Sequence, residues 1–193
     1  METTWRLELE SPAQAADDAL VEAAVAGDTS AFAALYDRHL VRVYRHVYYR
    51  VGNRSDAEDL TQQVFLQAWR AIRRFRPTGA PFVAWLFTIA HNLAVQFHRR
   101  ARDATPLDLE PEAGARWSDP QSEVLATYER AAVRRAILRL KPDFQQVVIL
   151  RFVEGLSARD VGAVIGKSEA NVRVMQHRAL GELKRMLDRE VNP

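Results

Sequence analysis

Residues 157–187 read SARDVGAVIGKSEANVRVMQHRALGELKRML, and their spacing predicts two helices joined by a turn. Ser157-Ala158-Arg159-Asp160 has a capping-box pattern, in which a hydroxyl caps the helix start and an acid three residues on reaches back. That helix runs to Ile165, Gly166 makes the turn, and Ser168 caps a longer helix to about Arg189. A short helix, a glycine turn and a longer helix form the pattern of a helix-turn-helix. In such a unit the first helix crosses the DNA backbone and the second sets its N-terminal residues in the major groove. At about 100° per residue, Val172, Met175, Ala179, Leu180, Leu183, Met186 and Leu187 share one side, expected to pack on Val161, Val164 and Ile165. Asn171, Arg173, Val174, His177 and Arg178 share the other side. Lys167 and Ser168 sit at the turn, where a helix N-terminus favours phosphate. These residue types reach bases and phosphates, although Glu169 brings a negative charge to the same end. A helical hairpin with a solvated polar face has the same periodicity, so the surrounding sequence must decide.

Upstream of this unit, one helix is expected over 121–139. Lys141-Pro142 breaks it, Pro142 suits the first turn of a helix over 142–154, and Gly155 ends that helix. Residues 103–120 lose all periodicity. Pro106, Pro111, Gly114 and Pro120 stand there among acids, as in a flexible linker. Before the linker, a short amphipathic helix over 17–26 closes at Gly27. A second, over 30–51, carries Phe32, Leu35, Tyr36, Leu40, Val43, Tyr44 and Val47 at helical spacing and stops at Gly52-Asn53. Ser55-Asp56-Ala57-Glu58 reads as another capping box, with Ser55 at the cap, opening a helix to about Arg74. Its Leu60, Val64, Phe65, Ala68, Trp69 and Ile72 share a face. Pro77, Gly79 and Pro81 mark a loop, and a helix follows from about Phe82 to Arg102. The expected fold class is all-α. Two small helical domains are joined by a flexible acidic linker, and the second contains the helix-turn-helix. The boundaries are a tail over 1–16, domains over 17–102 and 121–193, and the linker over 103–120.

Composition narrows the function. The chain has 193 residues, 48% hydrophobic and 27% charged, enough apolar material for a core and ordinary for a globular protein. The absence of cysteine removes disulfides, thiolate metal sites and cysteine nucleophiles together. No apolar stretch approaches a membrane span and the N-terminus lacks a secretory pattern, so the chain is expected in the cytoplasm. The net charge of +2 conceals segregation. Residues 1–37 hold one Arg against eight acids, and 38–102 hold twelve Arg against three. Residues 103–129 hold one Arg against seven acids, and 130–193 hold thirteen Lys or Arg against seven. Two basic blocks separated by an acidic one suggest two modules that each meet a polyanion. Arg supplies 24 of the 27 basic residues and suits bidentate recognition of phosphates and bases; a GC-rich genome enriches it equally. The pairs His39/His46 and His91/His98 each share a helix face, but no carboxylate stands at ligand spacing. No metal, cofactor or catalytic residue is expected.

Three runs together carry a family resemblance: AEDLTQQVFLQAW (57–69), FVAWLFTIAHNLA (82–94) and RFVEGLSARDVGAVIGKSEANVRVMQHRAL (151–180). In this order and spacing the chain resembles an extracytoplasmic-function sigma factor of bacterial RNA polymerase, over roughly 17–102 and 121–189. The resemblance implies a non-enzymatic specificity subunit that binds core polymerase, recognises two promoter elements and helps open the duplex. It implies that Asp56, Asp59, Gln62, Gln63, Phe65 and Leu66 contact core polymerase. Arg73, Phe75, Arg76, Asn92, Arg99 and Arg100 would capture the melted −10 strand. Lys167, Ser168, Asn171, Arg173, Val174, His177 and Arg178 would read the −35 element. The linker would follow the polymerase RNA-exit path, and an anti-sigma factor would be a further partner. His91 stands before Asn92 where the family often has Arg, and Asp160 stands where Glu is usual. The competing reading is a stand-alone helix-turn-helix regulator, which leaves the two basic modules around an acidic linker unexplained.

Overall fold

The computed structural model describes residues 12–103 and 124–191, and every regular element among them is a helix. The first half comprises α1 (Pro12–Ala26), α2 (Thr29–Val51), α3 (Arg54–Ala71), a 3₁₀ turn at Ile72–Arg74 and α4 (Phe82–Asp103). The second comprises α5 (Val124–Arg139), α6 (Pro142–Val148) with a π-turn at Ile149–Val153, α7 (Ala158–Ile165) and α8 (Glu169–Val191). The all-α expectation with a helix-turn-helix near the C-terminus is what the structure shows. The expected linker, apart from Asp103, and residues 1–11 of the expected tail lie outside the described residues; α1 opens inside that tail.

Local chemistry sets the helix ends. Asp28 caps α2, accepting from the Ser30 and Ala31 amides at 2.8 and 3.2 Å. Gly52 closes α2 at φ 88°, a left-handed conformation that glycine adopts without steric cost. The start of α3 corrects the Ser55 assignment. Asn53, extended at φ −122° and ψ 160°, is the cap. Its Oδ1 accepts from the Asp56 amide at 2.8 Å, and its Nδ2 donates back to the Asp56 carboxylate. The reciprocal box forms two residues earlier because Gly52 has already turned the chain. Glu58 instead accepts from Arg54 at 2.6 Å. The expected helix over 142–154 is also corrected. Its regular part ends at Val148, and the last turn widens so that the Glu154 amide donates to Ile149 O and the Leu156 amide to Leu150 O.

Packing follows the apolar faces. Leu35, Val43 and Val47 of α2 meet Val64 and Ala68 of α3 and Leu86 and Phe87 of α4, all at most 1% exposed. Helix α8 is shared between two clusters. Val172 and Met175 join Val161 and Val164 in the main core, whereas Ala179 and Leu183 pack on Ala136 and Ile137 of α5 and on Leu140 just beyond it. The single face expected to rest on 161–165 is therefore split, and Leu180 is left 41% exposed.

The two halves are closed on each other. Val147, Leu150, Leu156, Ala158, Val161 and Val164 belong to the same apolar cluster as α2–α4, with α7 against α4. The other part of this seam is polar. Glu154, whose side chain is fully buried, accepts from Arg45 Nε and Nη2 at 3.0 Å each, and its carbonyl accepts from Arg42 Nη2 at 3.0 Å. Arg50 is 1% exposed and donates to Pro142 O and Gln145 Oε1, both at 3.0 Å. Arg134 donates to Gly52 O and lies over the Tyr48 ring at 4.2 Å.

Candidate nucleic-acid and polymerase interfaces

The first face is the start of α8. Ser157 caps α7 by accepting from the Asp160 amide at 3.1 Å, and Gly166 ends α7 at φ 67°. Ser168 Oγ accepts from the Asn171 amide at 3.3 Å. These caps fix where each helix starts and hence which residues face outward. Gly162, which the sequence reading did not single out, sets the approach of α7 to the turn. A Cβ there would lie 2.5 Å from Lys167 O, an overlap that would push the turn away. Val172 and Ala179 are buried beneath the helix. Lys167, Ser168, Asn171, Arg173, Val174, His177 and Arg178 are all exposed; Lys167, Asn171, Val174 and Arg178 line one open pocket, and Arg173 lies on the other flank of α8 beside Arg151 and Gln176. Arg173 is paired with Glu169 at 2.6 Å, but at 71% and 45% side-chain exposure water screens the pair to little strength.

The second face lies on α3. Asp59, Gln62 and Gln63 are exposed, Leu66 is 48% exposed and Trp69 42%. Asp56 is half-buried and occupied with Asn53. Phe65 corrects the expected contact set. At 4% exposure it packs edge-on against Tyr36, centroids 4.6 Å apart, and supports the surface from beneath. Its place follows the helical period, since Leu60, Val64 and Ala68 occupy the same inner stripe. The structure adds Val41, 52% exposed, which with Tyr36, Leu40 and Tyr44 lines an open groove of about 220 Å³ reaching Gln62. An apolar residue on the outward side of α2 was the available signal.

The third face runs from the 75–81 loop along α4. Phe75 packs on Trp85 and Phe82, centroids 4.9 and 5.6 Å away, leaving Phe75 and Trp85 half-buried. Arg73 and Arg76 are exposed beside it, and Arg76 donates to Phe75 O at 3.0 Å. Asn92, Arg99 and Arg100 are exposed on α4. Seventeen residues of helix separate Phe82 from Arg99, ~25 Å of rise, so these groups mark the two ends of a track. His91 turns the other way, half-buried beside Gln146 of α6. Burial and the neighbouring Arg50 hold its pKa below the ordinary range.

The two histidine pairs have separate surroundings. His46 is fully buried against Phe87, centroids 4.6 Å apart, and burial holds its pKa well down. His39 Nε2 lies 3.0 Å from Asp17 Oδ2, and His98 Nε2 lies 2.9 Å from Arg50 O. Among the described residues no three His, Asp or Glu gather to hold an ion, and no helix is long and apolar enough to cross a membrane.

Comparison with known families agrees with this arrangement. Residues 35–104 match Sigma-70 region 2 and residues 130–183 match Sigma-70 region 4. The ECF RNA polymerase sigma factor SigD of Mycobacterium tuberculosis is 39% identical, over 86% of this chain and 82% of that protein. This chain belongs to the extracytoplasmic-function sigma factors. BldN of Streptomyces coelicolor, a further ECF sigma factor, is 41% identical over 87% of this chain, and the chain spans 64% of its length. Among solved structures, CnrH in complex with the cytosolic domain of CnrY matches at TM-score 0.70 and 28% identity, over 90% of this chain and 97% of that one. RpoE of Bartonella quintana, solved with the anti-sigma factor NepR, matches in fold at TM-score 0.67 and 24% identity, over 81% and 96%. The α8 surface is thus the region-4 face of a sigma factor, and the α3 and α4 surfaces are its region-2 faces.

Proposed function

We propose that this sigma factor directs core RNA polymerase to promoters by dividing the work among these three faces. The exposed part of α3, from Asp59 through Gln62 and Gln63 to Leu66, docks on core polymerase, with the Val41 groove as its edge. The start of α8 reads the −35 element in duplex form. The Phe75 loop receives a melted −10 base, and Asn92, Arg99 and Arg100 hold the strand along α4. Unstacked bases gain by stacking on aromatics, and arginines track the backbone. The units that do this are the domains over 17–102 and 121–193. The protein performs no covalent chemistry and works in the cytoplasm, where polymerase is.

One observation carries this reading. Every side chain expected at the −35 face is exposed, while the apolar partners of the same helix are buried. The closed seam adds a condition. The two promoter elements are named for positions about 25 base pairs apart, roughly 85 Å along B-form DNA, whereas α7 is packed directly on α4. The halves therefore part when both elements are engaged. The complex of CnrH with CnrY supports an anti-sigma factor as a further partner.

The test is co-elution of the purified chain with core polymerase on a sizing column, followed by promoter opening on supercoiled DNA. A one-to-one complex that opens promoters is expected. Tight duplex binding by the free chain with no polymerase complex would sink the proposal. Within the complex, Arg173→Ala is expected to weaken −35 selection and leave polymerase binding intact.

A further inference from the structure

Helix α1 holds both flanks of the loop that carries Phe75, and it lies upstream of the residues that match Sigma-70 region 2, which begin at 35. Its C-terminal end packs on the 3₁₀ turn that leads into the loop. There Ala24 and Gly27 share an open cleft with Ile72 and Arg73. A Cβ on Gly27 would stand 3.4 Å from Arg73 Nη2, so that guanidinium rests at the end of α1, where the helix dipole favours a cation. Asp17, nearer the start of α1, reaches the other flank of the loop by way of α2. It is buried and accepts from Arg38 Nη1 at 2.6 Å, and its second oxygen lies 3.0 Å from His39 Nε2. Burial keeps His39 neutral by holding its pKa below the ordinary range. A carboxylate only accepts, so the ring turns a protonated Nε2 toward it. The other side of this buried ring lies against Phe82, centroids 5.7 Å apart. Phe82, also buried, opens α4 and forms the floor beneath half-buried Phe75 and Trp85, at 5.6 and 5.5 Å.

We propose that Asp17 and His39 are positioning residues for the melted −10 base: through the His39 ring and Phe82, α1 sets the pose in which Phe75 and Trp85 meet it. The proposal rests on the −10 reading of the Phe75 loop and deepens it. Stacking depends on ring offset and tilt, and a ring on a loop keeps one pose only when the layer beneath it is locked. Phe82 has no polar atom to lock it, so its neighbours must. On one side these are Phe75 and Trp85 themselves, and on the other it is His39. Turning the imidazole away from Asp17 would leave a buried N–H without an acceptor, which is costly. Asp17 therefore fixes the ring plane, the ring fixes Phe82, and Phe82 fixes the surface that the base meets. Neither Asp17 nor His39 touches DNA, and neither belongs to the polymerase face of α3 or the base-reading face of α8.

The experiment uses the full chain in holoenzyme with core polymerase. The probe is a fork DNA whose −35 duplex is the sequence that the wild-type holoenzyme enriches and whose single-stranded −10 segment is randomised. Sequencing of the retained DNA gives the base preference at each −10 position. Affinities are then measured for the preferred fork and for the −35 duplex alone. Asp17→Leu should weaken binding of the preferred fork about three- to tenfold, as expected for one lost hydrogen bond, and flatten the base preference in the −10 segment. Binding of core polymerase and of the −35 duplex should not change. Asp17→Asn, whose amide oxygen still accepts from His39, should restore the preference. His39→Phe, which keeps a ring beside Phe82 but has no donor for Asp17, should resemble Asp17→Leu. In a Phe75→Leu background Asp17→Leu should cost nothing further, because the ring through which it acts is gone. Melting temperatures for each variant separate these effects from loss of fold. A folded Asp17→Leu variant with unchanged base preference would overturn the proposal. So would losses shared alike by fork, −35 duplex and polymerase, or equal losses for Asp17→Asn and Asp17→Leu, or additive losses with Phe75→Leu. A wild-type holoenzyme with no base preference along the single strand would overturn the −10 reading of the Phe75 loop and this inference with it.

Discussion

The interior of the first bundle is mainly apolar, whereas the seam between the two halves joins an apolar part, continuous with that core, to a polar one. Where α2, α3 and α4 meet, the fully covered positions are Leu35, Val43, Val47, Val64 and Leu86. In and around the seam, burial covers His46, Arg50, Gln145, Gln146 and Glu154. Both ring nitrogens of His46 and two nitrogens of Arg50 have no hydrogen-bond partner among the described residues. Burial pushes the Arg50 pKa down to about 10. An apolar interior gains with every covered methylene. A polar one gains little when satisfied and costs about 1–3 kcal/mol for each group left without a partner. The bundle is built to stay closed. The polar part of the seam recovers hydration if the halves part, as the proposed engagement of two promoter elements would require.

The largest expected effect lies in the bundle. Leu86→Ala removes a side chain with no exposure and should cost about 2–5 kcal/mol in chemical denaturation, the range for cavities that cannot collapse. It should unfold the first half rather than open the molecule. Glu154→Ala tests the other side. Removing one partner of a buried ion pair is costly, but Arg42 and Arg45 are 36% and 43% exposed, which screens them and brings the expected loss to about 2–3 kcal/mol. That loss should appear as separation of the halves, with a larger radius of gyration in X-ray scattering and little change in the melting of either half. A variant that unfolds while staying compact would erase the distinction between bundle and seam.

The seam should also respond to acid. His46 lies against α4 and beside Arg50, Arg45 and His91, and burial favours its neutral form. His91 faces Gln146, Asp143 and Arg50, again with burial dominant. In the open form His91 regains water and the ordinary value near 6.5 and binds a proton that the closed form refuses, whereas His46 stays held between α2 and Phe87 of α4. Closure is therefore fully stable above that value and weakens as the pH falls below it, by at most the slope of one proton. A fluorescence pair across the seam should report separation between pH 7.5 and 5.5. His91→Gln should flatten the profile. His39, whose pKa burial also lowers, sits between α1 and α2 beside Asp17, so its titration bears on the bundle rather than the seam.

Much of the molecule was legible because its signals are local. Ser157, Ser168, Gly52 and Gly166 end or begin helices through contacts within a few residues, and the sequence places those caps correctly. The outward side of α8 was legible for the same reason: helical period separates Val172 and Ala179 from Arg173 and Arg178. The seam was not. Glu154 meets Arg42 across 112 positions and Arg50 meets Gln145 across 95, and a charged residue outside tertiary context reads as solvated. The splitting of α8 between two cores has the same origin, because the period shows that a face is apolar but not which partner covers it. Phe65 marks an intermediate case, where the inner stripe was visible and the resemblance drew the residue outward.

The smallest effect sharpens the comparison at the junction of α2 and α3, on the rim of the seam, where Arg134 reaches Gly52 O. The sequence pattern put the cap of α3 at Ser55, and the structure puts it two residues earlier, at Asn53. Asn53 supplies the oxygen that the Asp56 amide needs and receives the Asp56 carboxylate in return. Ser55 is exposed inside the first turn, where its hydroxyl has no orphan amide to serve. Asn53→Ala should therefore cost about 1 kcal/mol of stability, the usual value of an N-cap. Ser55→Ala should stay within about 0.5 kcal/mol of the parent, as for an exposed substitution away from any special feature. Paired urea titrations at neutral pH read both values. Equal losses would return the cap to Ser55, and a larger loss at Asn53 that vanishes in a Glu154→Ala background would show that this cap supports the seam rather than the bundle. The argument for the bundle is geometric: the Asn53 bonds stay within the first turn of α3, whose next buried residues, Ala57 and Leu60, belong to the bundle core. The cost should therefore persist whether the halves are closed or apart.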